Sequence, residues 1–230
     1  MNEPPRFLAL IPAAVRRVID PRLRQVRAAR GRTIIGAGSR STDVFFILEG
    51  EVQVLLYSAQ GREVSVRDLA AGDVFGELAA IDGAPRSASV VATVDTRILI
   101  MSRNDFMACL EASPAAALWL VQRLAAEVPR LTGRVFELAA LNVQARLHCE
   151  LLRLARRRPD GGLVISPAPT HAELASRIGT HREAVTRELR ALAQMNVLRS
   201  HRRSLEFLDV DHLERVVRRQ VGLLDQAVEA

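Results

Sequence analysis

The residues with the clearest chemistry are Phe75-Gly76-Glu77-Leu78 and, shortly after them, Arg86-Ser87-Ala88-Ser89. Gly76 lets a backbone approach a ligand with no Cβ in the way, Arg86 offers a forked cation that matches phosphate, and Ser87 adds a hydroxyl. Glu77 is the odd member, because a carboxylate repels phosphate. Beside Arg86 it makes chemical sense as an acceptor for a hydroxyl-bearing group such as a sugar. The set reads as a loop for one phosphate and one ribose. A plainer alternative stands beside it: Glu77 and Arg86 as an ordinary surface ion pair, worth about 0–1 kcal/mol.

A second set lies further along the chain. Thr170-His171-Ala172-Glu173 fits a capping box, with Leu174, Ala175 and Ile178 on the buried face of a short helix that Gly179 ends. Thr180-His181-Arg182-Glu183 repeats the capping pattern, and the helix after it turns Val185, Leu189 and Leu192 inward. Its outer face carries Arg182, Glu183, Thr186, Arg187 and Arg190. The spacing of Ala175, Gly179 and Val185 matches a helix-turn-helix. In a major groove Arg donates two hydrogen bonds to guanine and Glu accepts from the cytosine amino group. Glu183 has a competing role, closing a cap on Thr180. Two apolar runs, 197–200 and 204–208, flank His201-Arg202-Arg203 and read as a hairpin whose cationic tip would touch phosphates.

These residues need elements to hold them. Glycines 31, 36, 38 and 50 punctuate short apolar runs such as Val44–Leu48 and Val52–Leu56, the pattern of a compact all-β unit that ends near Met101. Residues 7–30 show helical spacing interrupted by Pro12 and Pro21 and read as short leading helices; Ser102-Arg103-Asn104-Asp105 opens a helical connector. From Ala115 to Arg157 the pattern is helical. Within it Leu124, Val128, Leu131, Val135 and Leu138 alternate spacings of four and three, a coiled-coil seam or the buried face of a helix packed on its own domain. Pro129 predicts a kink or break over 127–129. Pro159-Asp160-Gly161-Gly162 and Pro167-Ala168-Pro169 mark a second boundary, and residues 211–227 read as an additional helix.

Charge and composition narrow the classes. All 32 basic residues are arginine and the net charge is +6. The segment 146–203 alone carries 12 arginines against five carboxylates, net +7, which leaves −1 for the rest and points to a polyanion partner for that segment. The longest apolar stretch, 115–126, is broken by Gln122 and Arg123, so no membrane association is expected. The N-terminus lacks the order of a secretory signal, which implies a cytoplasmic protein. Cys109 and Cys149 form no metal-ligand set and read as small buried apolar residues. An enzyme, such as a nucleotide hydrolase using Glu77 as base, lacks a second carboxylate or a nucleophile–base pair beside it.

The 76–89 residues resemble the phosphate-binding cassette of cyclic-nucleotide-binding domains. Arg182-Glu183-x-x-x-Arg187 resembles the recognition helix of the catabolite activator protein (Crp/Fnr) family, so the whole chain is identified as a member of that family's cyclic-nucleotide-binding branch. The resemblance implies an α+β chain with an N-terminal β-roll over 1–114, a dimerisation helix over 115–158 and a C-terminal winged helix-turn-helix over 159–230. It implies cAMP or cGMP as allosteric effector, with Glu77 on the ribose, Arg86 and Ser87 on the cyclic phosphate, and Gly76, Leu78 and Ala88 lining the cassette. Aligning Leu138-Ala139-x-Leu141 places Leu131-Thr132 where the family has two hydroxyl residues near the base. Only Thr132 keeps one, which leaves cAMP, cGMP, or a regulator that binds DNA with no effector. Further implications are a homodimer on a palindromic operator with TGTGA-like half-sites, contacts from Thr180, Arg182, Glu183, Thr186, Arg187, Arg202 and Arg203, and RNA polymerase as a partner. No N-terminal cysteine cluster and no histidine before His148 accompany it, so neither an iron–sulfur cluster nor a histidine-held haem is expected.

Overall fold

A computed structural model describes residues 5–58 and 63–228, with side chains of the last helix described to residue 219. The reading of the N-terminus as lacking a secretory signal rests partly on residues 1–4, which lie outside the described residues. The chain divides into two compact units, Met1–Val128 and Pro129–Ala230.

The first unit opens with α1 (Arg6–Ala9), α2 (Ala13–Ile19) and a single 3-10 turn, followed by β1 (Arg24–Ala28), β2 (Thr33–Ile35), β3 (Val44–Glu49), β4 (Glu51–Tyr57), β5 (Glu63–Ala70) and β6 (Val74–Phe75). Then come α3 (Glu77–Asp82), β7 (Ser89–Ala92), β8 (Thr96–Met101) and α4 (Arg103–Ala112). The strands form two four-stranded antiparallel sheets, ordered β1-β8-β3-β6 and β2-β7-β4-β5, which is the β-rich unit expected. β3 is buried on both faces, which is why its sequence is an unbroken apolar run. Phe45 and Ile47 join a cluster with Val52, Leu69 and Val90, while Val44 and Phe46 pack with Phe7, Phe106, Ala116 and Leu120. Phe7 is the hub of the second cluster, with ring centroids 5.4 Å from Phe46, 5.2 Å from Phe106 and 5.8 Å from Trp119. Ser102 caps α4 by accepting from the Asp105 amide, as its position predicts.

One expectation fails here. Residues 24–28 are not part of a leading helix but the edge strand β1, paired along its length with β8. Long-range pairing overrides the local spacing.

Next follow α5 (Pro114–Ala140), α6 (Val143–Leu154), β9 (Arg156–Arg157), β10 (Leu163–Ile165), α7 (His171–Ile178), α8 (Arg182–Gln194), β11 (Leu198–Ser200), β12 (Leu205–Phe207) and α9 (Val210–Val228). Of the kink or break expected near Pro129, the break does not occur: α5 runs through it. The interruption instead falls at Leu141-Asn142, where the Asn142 side chain accepts from the Ala145 amide and starts a new helix. Leu147 and Leu151 of α6 are fully buried in one core with Leu174, Ile178, Val185, Leu192, Phe207 and Leu213. The sequence boundary at 159 therefore falls inside a packed unit: residues 159–162 form the turn between β9 and β10, in the same sheet as β11 and β12. The expected C-terminal helix is α9, whose Leu213 is buried in this core.

Candidate functional sites

The cassette is assembled by β-pairing. Phe45 pairs with Phe75 and Phe46 with Val74, so the chain leaves β6 at Gly76, which lies in the left-handed region at φ 82° and begins α3. A side chain there is strained twice over, since a Cβ would stand 2.7 Å from Nη1 of Arg86 and 2.9 Å from the Asp43 carbonyl oxygen. Ala79 and Ala80 anchor α3 in the core, leaving Glu77 half-buried and Leu78 exposed. The loop after α3 is pinned by backbone bonds from Arg86 N to the Ser39 carbonyl (2.9 Å) and from Gly38 N to the Arg86 carbonyl (2.8 Å). Ser87 is exposed and Ala88 half-buried on the way into β7.

Arg86 is 4% exposed. Its guanidinium donates to the Gly76 carbonyl at 2.8 Å, the Asp43 carbonyl at 2.6 Å and Ser41 Oγ at 3.0 Å, and lies over the Phe45 ring. Glu77 acts on it only through space and makes neither a hydrogen bond nor a close ion pair with it, so the surface-ion-pair alternative fails. Burial pushes the Glu77 carboxyl above its ordinary value, against the pull of its own backbone amide and of Arg123 and Arg67. Arg123 pairs with Asp73 at 2.7 Å and Arg67 with Glu127 at 2.6 Å, so Glu77 stands beside a ring of charges already paired. Thr132 lies on the exposed side of α5.

The second set forms a single face. Thr170 and Glu173 make the capping box of α7: Glu173 N donates to Thr170 Oγ1 at 3.2 Å and Thr170 N donates to the Glu173 carboxylate at 2.6 Å. Gly179 ends α7 at φ 65°. The second capping box is absent. His181, not Thr180, caps α8, and no side chain bonds the cap, so Glu183 is exposed and released from the competing role. Val185, Leu189 and Leu192 are buried as expected, and Arg182, Glu183, Arg187 and Arg190 are exposed.

Thr186 departs from expectation. It is half-buried, its hydroxyl donates to the Arg182 carbonyl at 3.0 Å, and its oxygen bonds His171 Nδ1 at 2.7 Å. That neighbour on α7 had no signal in the sequence. Gln194 extends the same surface; its spacing of four from Arg190 could have revealed it. The β11–β12 hairpin closes through His201 N to the Ser204 carbonyl at 2.8 Å and leaves Arg202 and Arg203 exposed at its tip. Among the described residues, no helix is long and apolar enough to cross a membrane, and no cluster of His, Cys, Asp or Glu is placed to hold a metal.

The chain is similar to known proteins along most of its length. The cyclic nucleotide-binding domain family matches residues 25–113, and the Crp-like helix-turn-helix domain family matches residues 145–216. The second match begins inside α6, in keeping with that helix packing in the same core as α7 and α8. A cyclic AMP receptor protein of Thermus thermophilus is 30% identical over 187 residues, 81% of this chain and 85% of that one. A CRP-like cAMP-activated global transcriptional regulator of Mycobacterium tuberculosis is 26% identical over 215 residues, 92% and 96% of the two chains. A crystal structure of a CRP/FNR-family transcriptional regulator from Thermus thermophilus matches with TM-score 0.68 and 26% identity, over 85% of this chain and 98% of that one. With a β-rich cassette unit ahead of a winged helix-turn-helix, and with relatives that regulate transcription and are not enzymes, the chain belongs to the Crp/Fnr family of DNA-binding transcription regulators.

Proposed function

We propose that this regulator responds to a cyclic nucleotide, cAMP or cGMP, bound at the cassette, and that occupancy controls how a homodimer in the cytoplasm reads a palindromic operator. The observation that carries this reading is the state of Arg86. A guanidinium has five N–H donors, and three hold the loop together through Gly76, Asp43 and Ser41, which leaves two aimed by a rigid frame. The donor left on each of Nη1 and Nη2 matches in number the two free oxygens of a cyclic phosphodiester. In this reading Ser87 adds a hydroxyl, Gly76 and Ala88 offer backbone beside the phosphate, and Leu78 covers the sugar. Glu77 accepts from the ribose hydroxyl, and Thr132 meets the base.

On the DNA side, Arg182 and Arg187 read guanines, Glu183 reads a cytosine amino group, and Thr180 and Thr186 flank them, over half-sites resembling TGTGA. Arg202 and Arg203 hold phosphates from the hairpin tip. Half-sites about one helical turn, roughly 34 Å, apart suit a twofold dimer. RNA polymerase is the further partner.

The dimer reading is supported by α5. Val128, Leu131, Val135 and Leu138 follow heptad spacing and are 63%, 43%, 65% and 47% exposed in the single chain. Burying such a stripe against a second copy is the way a solvent-exposed apolar seam is satisfied. Val135→Glu leaves the packing of the single chain intact and is expected to weaken dimerisation by about 3 kcal/mol, from two valine side chains at about 1.5 kcal/mol each across the twofold axis. Sedimentation across a concentration series measures it; an unchanged dimer constant removes this face from the interface.

The test of the whole reading is calorimetric titration with cAMP and with cGMP, paired with operator affinity with and without each. Neither nucleotide binding, or binding without effect on DNA, overturns effector control. A regulator that binds DNA constitutively is the second reading, favoured by the apolar Leu131 beside Thr132. High operator affinity with no nucleotide response supports it.

A further inference from the structure

Outside the two candidate sites, one buried carboxylate gathers three arginines. Glu150 of α6 is 2% exposed. Arg134 of α5 places Nη1 3.3 Å from Oε2, and Arg177 of α7 places Nη1 3.3 Å from Oε1. Arg153, one turn further along α6, also bonds Oε2. Glu137 of α5 closes the ring, accepting from Nη1 of Arg134 at 2.9 Å and from Nη2 of Arg153 at 2.5 Å. Through Nη2, Arg134 also donates to the Arg177 carbonyl, in the last turn of α7. One helical turn after Arg134, Leu138 lies against the turn of the helix-turn-helix, where a Cβ on Gly179 would stand 3.2 Å from Leu138 Cδ2.

This arrangement bears on how movement is passed along the chain. The helical ladder is interrupted at Leu141-Asn142, so the main chain alone would leave a joint between α5 and α6. The ring bridges that joint by side chains. It ties the last turns of α5 directly to α6 and to the end of α7, immediately before the turn into α8. Three guanidinium groups share two carboxylates, and Glu150 is the member in contact with all three. Without its charge the arginines repel one another in a partly dry space, and the tie opens.

We propose that Glu150 is the positioning residue of the allosteric linkage, making the final turns of α5 and the helix-turn-helix one rigid lever. The proposal rests on the effector-responsive reading given above. It touches neither nucleotide nor DNA. What it sets is the ratio between operator affinities with and without effector, a coupling that is reciprocal between the two sites.

The experiment compares the full-length wild type with Glu150→Gln and Arg134→Lys. Operator affinity is read by fluorescence anisotropy on a palindromic duplex, with and without saturating cAMP or cGMP, and nucleotide affinity of the free protein by calorimetry. Glu150→Gln is expected to shrink the nucleotide-induced gain in operator affinity by about tenfold, with nucleotide affinity of the free protein unchanged. Arg134→Lys keeps a charge beside Glu150 but lacks the fork that also holds the Arg177 carbonyl, and is expected to lose part of the gain. A residue with a merely structural role lowers operator affinity equally in both conditions, and that outcome overturns the proposal. So does a wild-type gain that both variants retain. A wild type with no gain overturns the effector reading and this linkage together, which separates the two failures. If Glu150→Gln does not fold, Arg134→Lys alone decides.

Discussion

Arg86→Leu is expected to lower cyclic-nucleotide affinity by about 10²–10⁴-fold, the loss of two charge-assisted hydrogen bonds at about 1.5–3 kcal/mol each. The same replacement removes the donors that Gly76 and Asp43 carbonyls now receive, so the cassette loosens as well. Two effects are therefore superimposed, and a second variant separates them. Arg86→Lys keeps the positive charge but not the fork, and cannot bridge both carbonyls while presenting paired donors. It is expected to fall between wild type and leucine in affinity, with a smaller drop in melting temperature. Calorimetric titration measures the first quantity and thermal unfolding the second. Wild-type affinity in the leucine variant removes Arg86 from the nucleotide site and takes the proposed effector with it.

The other large effect concerns DNA. Arg187 is exposed on the outward face of α8, and its replacement by alanine leaves the buried Val185, Leu189 and Leu192 untouched. A bidentate contact to guanine is worth about 1–3 kcal/mol, and a twofold dimer makes it twice, so Arg187→Ala is expected to cost about 2–6 kcal/mol on a full palindrome. The loss is specific. Discrimination at one base pair per half-site relaxes, whereas Arg202→Ala at the hairpin tip weakens binding to all sequences alike and lowers the salt dependence. Anisotropy titrations against single-base operator variants tell these apart. A uniform loss across all variants for Arg187→Ala makes it a phosphate contact instead of a base reader.

How much of this was legible in the sequence depended on where the determining contacts lie. Val44-Phe45-Phe46-Ile47-Leu48 announced β3 because a strand buried on both faces must be apolar throughout. The Thr170 capping box and Gly179 were equally readable, since the bonds they make are local. β1 has no strand signal of its own because Arg24, Gln25, Val26 and Arg27 are all exposed and carry no alternation; β8 alone makes them a strand. Asn142 is masked because Leu141 and Val143 continue the apolar pattern on either side of it, hiding a cap whose bond to Ala145 is nonetheless local. In the cassette, residue type alone marks Gly76, Glu77 and Arg86. That Arg86 is held by carbonyls at Gly76 and Asp43, and not by Glu77, depends on β3 and the loop before it folding back 43 residues away, which no local pattern encodes.

The aromatic packing of the first unit has a practical consequence. Trp119 is the chain's single tryptophan, set against Phe7 and under the Arg123 guanidinium, and the DNA-binding unit contains none. Indole emission thus follows the unfolding of the first unit alone, while far-ultraviolet dichroism sums over both. Recording the two signals in one denaturation separates the melting of the halves with no label attached.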